Sequence, residues 1–134
     1  MEFTWLSRWQ PQLLAILRIV TGLLFLEHGL SKFFGFPVPF PVQPLPPMLM
    51  AAGTIEIVAG ILVTLGLFTR LAAFVASGEM AAAYFIGHFP KGFWPAQNMG
   101  ENAILLCFIF LYIAAAGPGA WSIDGARSKS APIR

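Results

Sequence analysis

Charge is scarce in this sequence. Asp, Glu, Lys and Arg make up only 10% of its 134 residues, whereas 57% are hydrophobic. A water-soluble domain carries about 25% charged residues, because its outer face must be hydrated. This shortage excludes a soluble enzyme and a soluble nucleic-acid-binding domain. The net charge of +2 comes from so few groups that it predicts no nucleic-acid partner.

Cysteine pairs and the common nucleotide motifs are missing as well. The single Cys107 forms no disulfide within the chain, and no CxxC or CxxCH occurs. Dithiol chemistry and a covalently attached c-type haem are therefore excluded within this chain. There is no GxGxxG, GxxxxGK[ST] or GxSxG motif, so the sequence does not support nucleotide binding or hydrolase chemistry.

Long apolar stretches dominate what is present, and prolines separate them. Four uninterrupted stretches cover residues 13–34, 48–67, 70–89 and 98–117. Each has about the 20 residues that a helix needs to cross a bilayer. Because open strands leave backbone groups unsatisfied in lipid, we predict an all-α integral membrane four-helix bundle, a single domain over residues 1–134. Thr69 and Asn98 are expected to cap the third and fourth helices.

The basic residues predict an orientation in the bilayer. Four spans put both termini on one face, which then holds Arg8, Arg70, Arg127, Lys129 and Arg134. Lys32 and Lys91 alone fall on the other face, so the positive-inside rule places both termini in the cytoplasm. The proline-rich loop 35–47 then faces outward. We expect it either to fold over the outer mouth of the bundle or to act as a stiff spacer.

Ionisable residues recur inside the predicted spans, where each is costly unless it is paired, neutralised or hydrated. At 1.5 Å per residue, they fall into two layers. The upper layer holds Glu27, His28 and Glu56, and Lys32, His88, Asn98 and Glu101 lie above it. These seven candidate ligand-binding residues predict an outward-opening polar pocket. The lower layer predicts a buried ion pair between Arg18 and Glu79. Three roles remain open for the carboxylates: structural hydrogen bonding in the packed core, proton handling or ligand binding, and contact between subunits.

Helical geometry bears on cofactors and on assembly. His88 is expected about 9 Å above His28, and no HxxE or HxxxH pair occurs, so neither haem nor a metal is favoured. No cofactor is assigned to the chain itself. At 100° per residue, Arg18 and Glu27 point about 180° apart on one helix. One of them therefore packs sideways or faces a second subunit, which motivates a homo-oligomer hypothesis.

Several segments in this order resemble the DoxX-like membrane proteins. The first is RIVTGLLFLEHGLSK at residues 18–32, followed by Gly53, Glu56 and Gly60. The pattern continues with GLFTR at 66–70, Met80, His88, NMGE at 98–101 and GPGAWSID at 117–124. The resemblance as a whole covers about residues 13–125. The polar or glycine positions of the signature are Arg18, Glu27, His28, Gly29, Lys32, Glu56, Gly60, Arg70, His88 and Glu101.

The resemblance implies a four-helix protein of the bacterial inner membrane. Some members are small subunits of quinone-reducing sulfur oxidoreductases or of terminal oxidases, others are associated with redox-stress systems in membrane complexes, and a quinone is accordingly the candidate ligand. A redox or quinone-associated accessory subunit is therefore the leading hypothesis, and any catalysis is expected from a larger membrane complex rather than from this chain alone. The alternatives are a non-enzymatic assembly subunit of such a complex and a small oligomeric proton-coupled transporter.

Overall fold

A computed structural model describes residues 3–130, and all regular elements within that range are helices. Arg134, which the orientation argument counted, lies outside the described residues. The α-helices are α1 (Thr4–Ser7), α2 (Gln10–Phe34), α3 (Pro47–Leu65), α4 (Thr69–Ala83), α5 (Pro95–Asn98), α6 (Glu101–Ala116) and α7 (Ile123–Ser130). A π-helix (Tyr84–His88) and a 3₁₀ turn (Phe89–Lys91) follow α4 directly.

Two predicted spans agree closely with the structure, and two differ at their upper ends. Helices α2 and α3 are long and apolar enough to cross a membrane by length and composition. Helix α4 ends at Ala83 and continues as the π-helix, so the stretch 70–89 is not one regular α-helix. Helix α6 begins at Glu101 instead of residue 98, because Met99 has a positive φ of 65° and separates it from α5.

The predicted helix caps were wrong. The side chain of Thr69 does not cap α4; its hydroxyl donates to Asp124, and that carboxylate also accepts the backbone N–H groups of Phe68 and Thr69. A distant acidic residue therefore caps the helix. Asn98 does not cap α6 either, although its side-chain oxygen accepts the N–H of Gly100 at 2.8 Å. Sequence proximity suggested both caps, whereas the chain fold supplies the partners.

The long helices pack as two antiparallel pairs, α2 against α3 and α4 against α6, with α3 and α4 joining the pairs. Gly60 allows the closest approach in the first pair, because a Cβ there would lie 2.9 Å from the backbone of Leu26. Phe25 and Phe110 meet edge to face at 4.8 Å between ring centroids in the buried core. Small residues thus bring the backbones together, as expected for helices without a strong hydrophobic drive between them.

The packed helices have two ends, which we call the lower end and the upper end. The lower end holds the start of α2, the turn between α3 and α4, and the segment that follows α6. The upper end holds the loop 35–46 and the segment 92–100. This loop turns back over α2: the Ser31 hydroxyl donates to the carbonyl of Val38 at 2.7 Å, and the Lys32 ammonium lies 4.9 Å from the ring centre of Phe40. The structure therefore favours a covering loop over a stiff spacer.

Candidate functional site

A buried ion pair joins α2 to α3. The Lys32 ammonium donates to Glu56 Oε1 at 2.8 Å, and both side chains are at least nine-tenths buried. Gly53 lies beside this pair and leaves space for the ring of Phe33, because a Cβ at Gly53 would lie 2.7 Å from that ring; the same Cβ would be in ordinary contact with Lys32 Cδ at 3.4 Å. A small residue at the contact between α2 and α3 therefore also borders the polar site.

Glu79 on α4 adds a second carboxyl to this pair. Glu56 and Lys32 are the charged groups that act on it, and no hydrogen bond of ordinary geometry reaches either of its buried oxygens within the described part of the chain. Three helices thus contribute one cation and two acids, and we call Lys32, Glu56 and Glu79 the core triad. The cation already has a partner in Glu56, so the cluster contains one carboxyl more than an ion pair needs.

The predicted Arg18–Glu79 ion pair is wrong. The Arg18 guanidinium turns to the lower end, where it donates to the backbone carbonyls of Pro118, Ala120 and Trp121. The prediction was based on the equal depth of Arg18 and Glu79 in the membrane. Depth does not specify the direction in which a side chain points around its helix. The segment after α6 folds into the lower end and supplies carbonyl acceptors, which leaves Glu79 to face the other two members of the core triad.

The lower end is held together by Arg18 and Asp124, which we call the lower-end lock. Burial raises the pKa of Asp124, but hydrogen bonds from Thr69 and Phe68, together with the positive charge of Arg127, outweigh it, so the pKa is lowered overall. The Asp124 N–H also donates to the carbonyl of Gly66 at 2.8 Å. The lock therefore binds the end of the described chain to the turn between α3 and α4.

A second polar group forms at the upper end around Asn98, which is fully buried. Its side-chain nitrogen donates to the Tyr84 hydroxyl at 3.1 Å and to the carbonyl of Gly92 at 2.9 Å. Its backbone oxygen lies 3.0 Å from Nδ1 of His88. We call Tyr84, His88 and Asn98 the upper cluster.

These contacts orient two free functional groups. A carbonyl oxygen only accepts, so in the neutral imidazole Nδ1 of His88 carries the proton and Nε2 keeps its lone pair. The Tyr84 oxygen accepts from Asn98, which leaves the phenolic proton free to donate. The π-helix Tyr84–His88 positions both side chains, and single π-helical turns frequently occur at functional sites. The upper cluster therefore contains one unused acceptor, on His88, and one unused donor, on the buried side chain of Tyr84.

Aromatic rings continue from the upper cluster along the surface. The Tyr84 and His88 rings are nearly parallel, 6.4 Å apart between centroids, and Phe89 lies 6.3 Å from Tyr84. Phe93 and Trp94 extend the row at 6.2 and 5.1 Å spacings. Phe89, Phe93 and Trp94 are exposed. A planar aromatic ligand would find stacking partners beside the donor and the acceptor.

The seven residues predicted to line one pocket are divided in the structure. Lys32 and Glu56 belong to the core triad, and His88 and Asn98 to the upper cluster. The other three side chains, Glu27, His28 and Glu101, are exposed on outer helix surfaces. Helix rotation separates them, because Glu27 lies about 150° around α2 from the side formed by Gly22 and Gly29, which packs on α3, and His28 lies about 110° from that side. A single outward-opening polar pocket was therefore the wrong interpretation.

Sequence analysis overlooked two residues with central contacts. Tyr84 joins the upper cluster, and its signal was the Tyr-x-x-x-His spacing of residues 84–88, which places two rings on neighbouring positions of a helix. Asp124 appeared only within the family-like segment. No local pattern connects it to Thr69, which is 55 residues away. Within residues 3–130, no group of three or more His, Cys, Asp or Glu side chains is arranged to hold a metal ion.

Comparison with known proteins adds a family and named relatives. Residues 13–89 match the family model DoxX. A Haemophilus influenzae protein named only as uncharacterized is 47% identical over 125 residues, covering 89% of this chain and 93% of its own length. "Inner membrane protein YphA" of Escherichia coli is 34% identical, with 86% of this chain and 90% of its own covered. "Putative oxidoreductase CatD" of Bacillus subtilis is 33% identical, with 81% and 82% covered. No solved structure matches.

Proposed function

This chain belongs to the DoxX family, and from that premise we propose that it is a four-span inner-membrane protein that serves as a quinone-linked accessory subunit of a membrane oxidoreductase. Helices α2, α3 and α6 would each cross the membrane as one α-helix, and α4 would cross it together with the π-helix that continues it. Arg8, Arg70 and Arg127 lie at or next to the lower end, so the positive-inside rule puts that end in the cytoplasm. The printed name of one relative, "Inner membrane protein YphA", supports the inner membrane as the location.

The observation that carries the proposal is the surplus carboxyl of the core triad. Lys32 and Glu56 form a neutral pair, and an ionised Glu79 beside them would leave a net negative charge inside the membrane. Uncompensated charge is costly there, so the cluster reaches neutrality by keeping a proton on one of its two carboxyls. A structural ion pair has no need of a third ionisable group, whereas a proton store does.

The upper cluster provides groups that fit a quinone ring. The phenolic proton of Tyr84 would donate to a quinone oxygen, and Nε2 of His88 would accept from a quinol hydroxyl. When bound, a quinone supplies two-electron, two-proton redox chemistry, and the electrons come from a partner subunit. Glu79 lies five residues before Tyr84, about 8 Å lower along the helix. The core triad would then hold the proton beneath the ring site. The printed name of CatD supports the redox assignment.

Native mass spectrometry of the protein, extracted gently from its own membrane, tests the ligand and the partner together. We expect a bound quinone and a second protein at fixed stoichiometry. With that complex in hand, Glu79→Gln should slow quinone reduction about 100-fold, the scale of a lost acid–base group. The matched control is Gly78→Ala, since a Cβ there meets nothing within 4 Å. A complex without quinone, or full turnover in Glu79→Gln, would contradict the proposal.

A non-enzymatic assembly subunit is the second candidate, and one observation favours it. Phe40 and the loop 35–46 cover Lys32, so the ion pair is closed off from a ligand at the upper end. Under this alternative, Glu79→Gln leaves quinone turnover unchanged, while Lys32→Met lowers the amount of assembled complex recovered from the membrane. Glu79→Gln therefore separates the two functions, because Lys32→Met is expected to lower stability under both.

A further inference from the structure

One face of α2 has no partner within the described structure. Leu13, Ile16, Val20 and Leu23 recur at alternating spacings of three and four residues, and each is between 44% and 50% exposed. This is the repeat with which two parallel helices pack along a common seam. Gly22 and Gly29 lie on the opposite side against α3, so the exposed face points away from the rest of the molecule.

Two polar residues follow at the upper end of this face, with Glu27 on the face itself and His28 about 100° around the helix from Glu27. Glu27 continues the repeat four residues after Leu23, His28 follows it directly, and both side chains are exposed. Glu27 lies seven residues before the last residue of α2, about 10 Å below the upper end. A carboxylate that faces lipid at this depth has neither a counter-ion nor water, and polar residues within spans almost always face another helix. Glu27 and His28 therefore indicate that another protein chain packs against this part of α2.

We propose that the partner is a second copy of this chain, docked through the exposed face of α2 about a two-fold axis along the membrane normal. In such a dimer, residues at equal depth meet, and each contact occurs twice. Glu27 of one copy then accepts a hydrogen bond from the His28 ring of the other, and the reverse contact completes the pair. An acceptor and a donor at adjacent positions make this face self-complementary.

The surroundings of Glu27 fit this occupant. A groove of about 470 Å³ lies beside it, lined by Leu23, Leu26, Leu30, Phe36 and Pro37 as well as Glu27. An apolar groove with one carboxylate accepts an imidazole well, since the ring body packs on the leucines while its N–H reaches the acid. The inference rests on the membrane placement proposed above and not on the redox role.

Cross-linking in the native membrane tests the location. Cys107 is first replaced by Ala, and a single cysteine is then introduced by Leu23→Cys. We expect an oxidised dimer, because the two-fold axis brings the same residue of both copies together. Phe74→Cys, on an equally exposed face of α4, is the matched control and should stay monomeric. Cross-linking through Phe74→Cys alone, or to a different protein through Leu23→Cys, would overturn the proposal.

Reversing the charges tests the chemistry. His28→Glu places four acids at the seam and should weaken self-association at least tenfold, measured by energy transfer between donor-labelled and acceptor-labelled copies in liposomes. The exchange Glu27→His with His28→Glu restores one donor and one acceptor per copy, so it should recover the dimer. Equal association in all three proteins would overturn the proposed contact. A chain that enters the membrane but stays monomeric overturns the dimer alone, whereas a chain absent from the membrane fraction overturns the placement.

Discussion

The core triad and the lower-end lock both contain charged groups inside the fold or at its edge, yet they use them differently. In the lock, the terminal nitrogens of Arg18 and the carboxylate of Asp124 bind mainly backbone groups and thereby fix the course of the chain. In the core triad, charge meets charge, and one carboxyl remains without a hydrogen bond. Buried charge that is satisfied by backbone serves the fold, whereas a surplus ionisable group points to chemistry. Substitutions in the two regions should therefore have different consequences.

The largest loss of stability is expected from Lys32→Met. It removes the cation from the core triad and leaves two buried carboxyls facing each other, and breaking a buried ion pair on one side costs about 3–5 kcal/mol. The free energy of unfolding in mixed micelles measures the loss. The double variant Lys32→Met with Glu56→Met should recover most of it. A single variant as stable as the unmodified protein would show that the pair does not hold α2 to α3.

A somewhat smaller loss is expected from Arg18→Met in the lower-end lock. Three backbone carbonyls lose a charged donor, and hydrogen bonds to charged groups contribute about 1.5–3 kcal/mol. The same unfolding measurement applies. Arg8→Met is the matched control: this exposed arginine lies 5.6 Å from the ring centre of Trp9, and such contacts contribute about 0.5–1 kcal/mol. Equal effects of the two variants would argue against the lock.

Asp124→Ala should cost about 1–2 kcal/mol near neutral pH, the usual effect of losing a helix cap. The effect should depend on pH. Because the folded state lowers the pKa of Asp124, the stabilisation is present above the unfolded pKa and is lost as the pH falls through the folded value. Unfolding of both proteins from neutral to strongly acidic pH measures this. A difference between them that stays constant into strong acid would refute the role of the ionised carboxylate.

The smallest change in stability is expected from Glu79→Gln, although its effect on turnover is expected to be large. No hydrogen bond to the Glu79 carboxyl is lost, so the free energy of unfolding should change by less than about 1 kcal/mol. This result would set Glu79 apart from Lys32 and from the lower-end lock, whose substitutions are expected to lower stability. A loss as large as that of Lys32→Met would assign Glu79 a structural role.

Part of the candidate site was accessible from the sequence. Lys32 and Glu56 were both predicted to line one polar pocket, with Lys32 in an outermost turn above the layer of Glu56, and the structure brings them together at 2.8 Å. Glu79 was assigned to the other layer, because counting from helix ends says nothing about tilt or about the side toward which a carboxyl turns. Similarly, the caps at Thr69 and Asn98 were inferred from neighbours in sequence, whereas Asp124 reaches Thr69 from 55 residues away.

The composition and the spacing of the prolines alone determined that this is an all-helical chain of membrane type. A chain with so few charges and four long apolar stretches forms helices, because other backbone structures leave hydrogen-bonding groups unsatisfied in lipid. Composition and spacing also determined where α2 and α3 lie. Only the tertiary structure decided which charges meet, that the helix following Ala83 is a π-helix, and that Glu27 and His28 face outward. The physical reason is that 100° and 1.5 Å per residue relate side chains on one helix. The rotation and offset between helices depend on packing at small residues such as Gly53 and Gly60.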